Sequence, residues 1–258
     1  MHDGRLCSYH PAAAIAQGSV GEKTLLCAPR NDGSALLLCA DGSLKVRRAP
    51  DRAPDGAPGV VEPIPSQPPW GPGVQLDAAA LDAQGWLYCA VRAATGSGGG
   101  LYRLRADGMT EAVSIRVGRI SGLGFAPDGS LCCCDAVHRE VVRFKQTAGG
   151  GFGDPQRIAQ VPASLGAPHG LAVDAKGFLW MAVWGGSCVL RLSPAGREEQ
   201  RVYFTARLLS GLAFGGADLR DLYVVSSGAD DRKANGPGAG ALFRLRPGVK
   251  GAPTAVLS

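Results

Sequence analysis

The side chains best able to do chemistry are few and scattered. In "APHGLAVDAKGFLWMAVWGG", residues 167–186, His169 stands immediately before a short apolar run. An imidazole there is either a catalytic base or metal ligand, titrating at about 6.5 when unperturbed, or a polar residue at the mouth of a strand. His138, in "DAVHREVVRF", is expected in a solvent-exposed turn, and Trp180 and Trp184 are expected to pack between neighbouring sheets. Ser121, in "ISGL", precedes a glycine without the Gly-x-Ser-x-Gly elbow of a hydrolase nucleophile, so a serine triad is disfavoured. Of the eight cysteines, 132 to 134 are consecutive and Cys27, Cys39, Cys89 and Cys188 sit in or beside apolar runs, with no Cys-x-x-Cys. That pattern reads as buried free thiols acting as small hydrophobes, not as disulfides or a zinc cage.

These residues belong to a repeat. "GLGFAPDGSLCCCDA" from Gly122, "GLAVDAKGFLWMAVW" from Gly170 and "GLAFGGADLRDLYVVSS" from Gly211 each place an Asp- and Gly-bearing turn between two apolar runs. "LDAAALDAQGWLYCAVR" from Leu76 and "LLCAPRNDGSALLLCA" from Leu25 are looser copies. A third run follows each, alternating apolar residues with a basic one: "LYRLRADG", "VVRFKQTAGG", "VLRLSPAG", "LFRLRPG" and, roughly, "LKVRRAPDG". Alternation ended by Gly or Pro predicts a strand with one buried face, and "EEQRVYFT" a weaker outer fourth strand. The matching arginines 103, 143, 191 and 244 recur at the 40 to 50-residue period of a four-stranded propeller blade. No amphipathic helical segment separates the strands, which disfavours a (β/α) barrel and leaves a two-sheet sandwich as the other all-β reading.

The 38 glycines and 18 prolines suit turns more than helices. A net charge of +5 without any run of five like charges gives no footprint for nucleic acid. No stretch approaches the roughly 18 apolar residues of a membrane span, and the N-terminus lacks a long apolar leader core. The expectation is a soluble, cytoplasmic, monomeric protein with no membrane partner. Residues 1–258 read as one domain, with a proline-rich surface connection over 47–73 that holds a short strand near 59–64. "DGRLCSYHPAA" reads as the third strand of a blade whose first two are missing.

"ISGLGFAPDGSL", "PHGLAVDAKGFLWMAVWGGSCVLRLSPAG", "LSGLAFGGADLRDLYVVSS" and "GAGALFRLRPGVKG" together resemble the senescence marker protein, gluconolactonase and luciferin-regenerating enzyme family, which includes regucalcin and bacterial sugar lactonases. The resemblance is good from about Gly122 to Gly251 and rests on turn spacing before that. It implies a six-bladed β-propeller of four-stranded antiparallel blades, here with a first blade that could be incomplete. It also implies one divalent ion, calcium or zinc, manganese or iron, which polarises the carbonyl of a lactone or related small ester while an acidic group helps to activate water.

Carried over by position, the implied site departs from that pattern. The family's Asn before the fourth blade's Gly-Leu is Ser121, a weaker oxygen ligand. Its Asp before the fifth blade's Gly-Leu is His169, which suits softer metals and takes the implied catalytic role. Its Asn entering the third blade is Asp77, which is also readable as a turn cap before a strand. The N-terminal Glu ligand is either Glu22, in "SVGEKTLL", or belongs to a strand preceding Met1. The expected activity is metal-dependent lactone or ester hydrolysis. A propeller that has lost that chemistry and binds a partner, or another propeller enzyme such as a lyase or a strictosidine-synthase-like protein, stays open beside it.

Overall fold

The computed structural model describes residues 5–9, 15–19, 24–30, 32, 34–39, 43–48, 60–65, 70, 74–93, 99–105, 107–113, 115, 117–228 and 233–253. All regular elements among them are strands. β1 (Arg5–Tyr9) and β2 (Ile15–Ser19) form a two-stranded antiparallel sheet. β3 (Thr24–Pro29), β4 (Ala35–Cys39), β5 (Leu44–Arg48) and β6 (Val60–Pro63) form a four-stranded sheet in chain order. So do β7 (Val74–Leu81), β8 (Leu87–Ala93), β9 (Gly99–Leu104) and β10 (Thr110–Val113). The third and fourth such sheets are β11 (Ile120–Phe125), β12 (Leu131–Asp135), β13 (Glu140–Phe144), β14 (Gln156–Gln160), and β15 (Ala167–Val173), β16 (Leu179–Trp184), β17 (Cys188–Leu192), β18 (Glu198–Tyr203). β19 (Leu209–Gly215), β20 (Asp221–Ser226) and β21 (Leu242–Leu245) form a sheet of three.

These are propeller blades, antiparallel meanders in which each apolar run is a strand and each Asp–Gly turn a hairpin. The number of blades corrects the six-bladed expectation. Among the described residues there are five, because β1 and β2 pair only with each other and a hairpin lacks the inner strands of a blade. The short strand expected in the proline-rich stretch is β6, the outer strand of its sheet, where Pro63 removes no ladder hydrogen bond that a further strand would need.

Contacts group the chain into two compact units. One holds residues 1–76, 81–113 and 255–258, and the other holds 77–80 and 114–254. The second unit shows why its apolar runs are continuous. Along β16, Leu179, Met181 and Val183 face a core shared with Cys132, Cys134, Val141 and Leu171. The alternate residues Trp180 and Ala182 face a different core with Leu209, Leu222 and Val224. A strand buried on both faces has no polar side to show, so period two disappears from its composition. The cysteine triplet follows the same rule. Cys132, Cys133 and Cys134 are all free and fully buried, as are Cys39, Cys89 and Cys188 to within a few per cent, in agreement with their reading as small hydrophobes.

The hairpin turns explain the repeated Asp. Asp82, Asp128 and Asp174 each accept the backbone N–H two residues on, and Gly85, Gly129 and Gly177 supply the left-handed conformation, near φ +80°, that closes the turn. The third-strand arginine completes it in the β15–β18 blade. Arg191 donates from Nε (3.1 Å) and Nη2 (2.6 Å) to Asp174, which is itself fully buried.

At the other end of these strands the first strands converge, β11 packing on β15 and β15 on β19. A methyl group at Gly122 would lie 2.8 Å from the Gly170 carbonyl carbon, and one at Gly170 would lie 2.8 Å from the Gly211 Cα. The glycines of the first two "GL" openings therefore let backbone meet backbone, whereas a methyl group at Gly211 would meet only the Val225 side chain, at 3.3 Å. Just before or at each glycine the ladder slips by one residue, between Ile120 and Gly122, His169 and Leu171, and Leu209 and Gly211. Such bulges re-aim side chains. The residues preceding the three glycines are Ser121, His169 and Ser210.

Candidate active site at the starts of β11, β15 and β19

The bulges tie these equivalent positions into a chain. Ser121, 1% exposed, donates its hydroxyl to the Pro168 carbonyl at 2.7 Å, with the Cys134 carbonyl at 3.3 Å. His169 Nδ1 lies 2.8 Å from the Ser210 carbonyl oxygen. A carbonyl only accepts, so Nδ1 carries the proton, and in the neutral ring Nε2 keeps its lone pair. The ring leans on Trp184 with centroids 5.4 Å apart and planes tilted by 30°. Burial is the main influence lowering the His169 pKa below its ordinary value. The bond to Ser210 opposes it, the positive charge of Arg119 adds to it, and the negative charge of Asp77 works against it. Burial thus favours the neutral form of the His169 ring.

Arg119 and Asp77 form the charged edge of the site. Arg119 donates from Nε to one Asp77 oxygen and from Nη2 to the other, each at 3.0 Å. The Asp77 side chain is mostly buried and the guanidinium is more open. A corner built around Asp135 fixes the backbone that carries Arg119. The Gly118 N–H donates to Asp135 Oδ2 at 2.6 Å, and the Arg119 carbonyl accepts the Ala136 N–H at 2.9 Å. Oδ2 also takes His138 Nδ1 at 2.8 Å, while Oδ1 takes the N–H groups of Val137 and His138 at 2.9 and 3.1 Å. Burial alone would raise the Asp135 pKa, but the bonds from His138, Gly118 and Val137 outweigh it and hold the group below its ordinary value. The same hydrogen bond, with the carboxylate charge, raises the pKa of the exposed His138.

Sequence position thus brings Ser121 and His169 together, joined through residue 168, and puts Asp77 within electrostatic reach of His169. Glu22 lies outside the described residues. His138 is exposed and in a turn, as expected. Trp180 packs fully buried between blades, edge-on to Phe214, whereas Trp184 departs from that expectation by facing His169. Arg119, Trp184 and the Ser210 carbonyl were not legible as site groups. A lone Arg before an apolar run is unremarkable in sequence, and a main-chain acceptor carries no residue type at all.

The donors present do not fit a calcium shell at the expected position. Calcium takes six to eight oxygens. Asp77 offers one carboxylate with both oxygens held by Arg119, Ser121 a buried hydroxyl committed to a carbonyl, and His169 a single nitrogen. A second donor set, Asp135, His138 and Glu140, has ligand atoms within 4.8 Å of one another. One imidazole and two carboxylates suit a borderline divalent ion. Asp135 is its weak member, since four donors already fill its lone pairs.

Comparison with known proteins agrees with this architecture. A family model described as "SMP-30/Gluconolactonase/LRE-like region" matches residues 1–228. The chain is 33% identical over 181 residues to a pentonolactonase of Haloferax volcanii, covering 67% of this chain and 62% of that one. It is 36% identical over 162 residues to an L-arabinolactonase of Azospirillum brasilense, covering 61% and 53%. The chain therefore spans somewhat over half the length of these curated relatives. A solved luciferin-regenerating enzyme superposes with a TM-score of 0.82 at 22% identity, over 99% of this chain and 89% of the other, which speaks for the fold. Five antiparallel blades, the "GL" strand starts and the family match lead to one conclusion: this chain belongs to the SMP-30/gluconolactonase/LRE-like family.

Proposed function

We propose that the protein hydrolyses a sugar lactone, with His169 as general base. The observation that carries the reading is the Nδ1–H bond to the Ser210 carbonyl, which leaves Nε2 unprotonated in a ring kept neutral by burial. The lactonase names of its relatives supply the reaction class.

His169 Nε2 takes a proton from water as the water oxygen attacks the lactone carbonyl carbon. The tetrahedral oxyanion then collapses, the ring C–O bond breaks, and the imidazolium returns its proton to the departing ring oxygen, giving a hydroxy acid. Asp77 stabilises the transient imidazolium through its charge. Arg119 keeps N–H groups beyond those it gives to Asp77 and is positioned to steady the oxyanion. Trp184 offers a flat face beside the imidazole for a sugar ring. Family membership and the Asp135, His138 and Glu140 donors are consistent with a divalent ion in the protein. No step is assigned to that ion, because the Asp77, Ser121 and His169 set lacks a hard-ion shell.

Titrimetric assay of the purified protein against gluconolactone and a pentonolactone tests the reading. His169→Ala should lower kcat/KM by about 10²- to 10⁴-fold. An unchanged rate in that variant, or no turnover of any lactone by the parent protein, would overturn it.

A further inference from the structure

At the strand-start end of the second unit, one carboxylate has no counterpart in the neighbouring blades. Asp135 ends β12 opposite Ile120 and is fully buried. The equivalent ladder positions are Val183, opposite Pro168, and Ser226, opposite Leu209, so building a blade does not ask for a carboxylate there. A buried charge is costly unless it is paired and hydrogen-bonded. Of the four donors that meet Asp135, the Val137 and His138 N–H groups close the local turn on Oδ1. The other two share Oδ2: the Gly118 N–H, from the approach to β11, and Nδ1 of His138, a side chain that is 61% exposed. An ionised carboxylate only accepts, so Nδ1 carries the proton.

These bonds shape the segment that carries Arg119. A methyl group at Gly118 would lie 2.8 Å from both Asp135 oxygens and 3.1 Å from His138 Cε1, so glycine alone brings the main chain this close to the pair. The turn that delivers His138 is clamped from β14. Gln160 Nε2 donates to the His138 carbonyl at 2.8 Å and to the Arg139 carbonyl at 2.9 Å, and Arg139 is held at φ +54°, in the left-handed region that a β-carbon disfavours. At the far end of Arg119 the guanidinium meets Asp77 at two points. Such a pair fixes the plane of a guanidinium as well as its position. A long side chain with its head open to solvent reaches that pose reproducibly only from a fixed base.

We infer that Asp135 and His138 are positioning residues for the reaction: through Gly118 they set the backbone from which Arg119 spans to Asp77, and so the direction in which its remaining N–H groups face the oxyanion. This rests on the lactonase reading. His138 takes no part in bond making and acts only by holding Asp135. An oxyanion exists in the transition state and not in the bound lactone, so a displaced Arg119 slows kcat and leaves KM in place.

The experiment measures kcat and KM for gluconolactone. Asp135→Asn keeps an oxygen for the two turn N–H groups but sets an NH₂ against the Gly118 N–H, and should lower kcat about tenfold with KM within about twofold. Combined with Arg119→Met it should add nothing to the effect of Arg119→Met alone, whereas a general packing defect, or a role through another group, multiplies. His138→Ala should lower kcat about threefold, and His138→Asn, whose Nδ2 stands where Nδ1 does, should restore it. Parental kcat in Asp135→Asn, or independent effects in the double variant, overturns the inference. Should Asp135→Asn not fold, the His138 variants decide, and an unchanged kcat in His138→Ala or no recovery in His138→Asn overturns it. If the parent turns over no lactone, the lactonase reading fails on its own, and proton–nitrogen correlation NMR decides the positioning. The Arg119 Nε–H resonance, identified by its loss in Arg119→Met, should move in His138→Ala and return in His138→Asn; a stationary resonance overturns the inference.

Discussion

The two ends of the β15–β18 blade start from similar residue types and use them in opposite ways. At the hairpin end Asp174 is consumed locally. It accepts the Lys176 and Phe178 N–H groups, Trp180 Nε1 and two nitrogens of Arg191, and nothing is left to offer another molecule. At the strand-start end the hydrogen bonds run between blades instead, Ser121 to residue 168 and His169 to Ser210, and one imidazole nitrogen is left over. Polar groups that are satisfied make structure, and the unsatisfied remainder makes chemistry.

That contrast sets the order of effects. Asp174→Ala should be the most damaging to folding, by about 3–5 kcal/mol, because it leaves Arg191 largely buried and unpaired. Chemical denaturation measures this, and a loss as small as that of a surface pair would erase the distinction between the ends. Ser121→Ala should cost about 1 kcal/mol, the worth of one buried hydrogen bond, read from the same denaturation curves.

Arg119→Met should cost less stability than Asp174→Ala, since the guanidinium is open to solvent although Asp77 is mostly buried, and should move chemistry as well. Removing its charge, which lowers the His169 pKa, shifts the acidic limb of kcat/KM to higher pH; a stationary limb would detach Arg119 from the site. The histidines sharpen the comparison through stability against pH. His169 has a native pKa below its unfolded value of about 6.5, so its neutral form stabilises the fold above that value, and this is lost as pH falls through the native pKa. His138 has the reverse sign. Its contribution is complete below about pH 6.5 and disappears as pH rises through its elevated native value. Replacing each with Gln should therefore flatten opposite sides of the stability curve.

Much of the hairpin end was legible in sequence because its physics is local. An Asp that caps the N–H two residues on, and a Gly that turns left, must stand at fixed offsets, so the repeat could be read directly. The strand-start end was legible only as positions. Ser121 and His169 could be located by the glycine that follows each, but Arg119 meets Asp77 across 42 residues of chain and His169 meets a carbonyl 41 residues away. Contacts of that reach leave no spacing rule behind. The six-bladed expectation came from the family resemblance, whereas the repeats in the sequence number five with a partial unit at the start, and the described residues form five blades and one hairpin.

The glycines at 122, 170 and 211 have a consequence for how such a site changes over time. Because backbone rests directly on backbone where Gly122 meets Gly170 and Gly170 meets Gly211, the close approach of the three first strands is set by main chain, with the side chains at 121 and 169 only bonding across it. Those positions behave as interchangeable sockets in a rigid frame. An exchange of one residue for another redirects the chemistry without asking the scaffold to refold, so a new specificity is reachable by single steps.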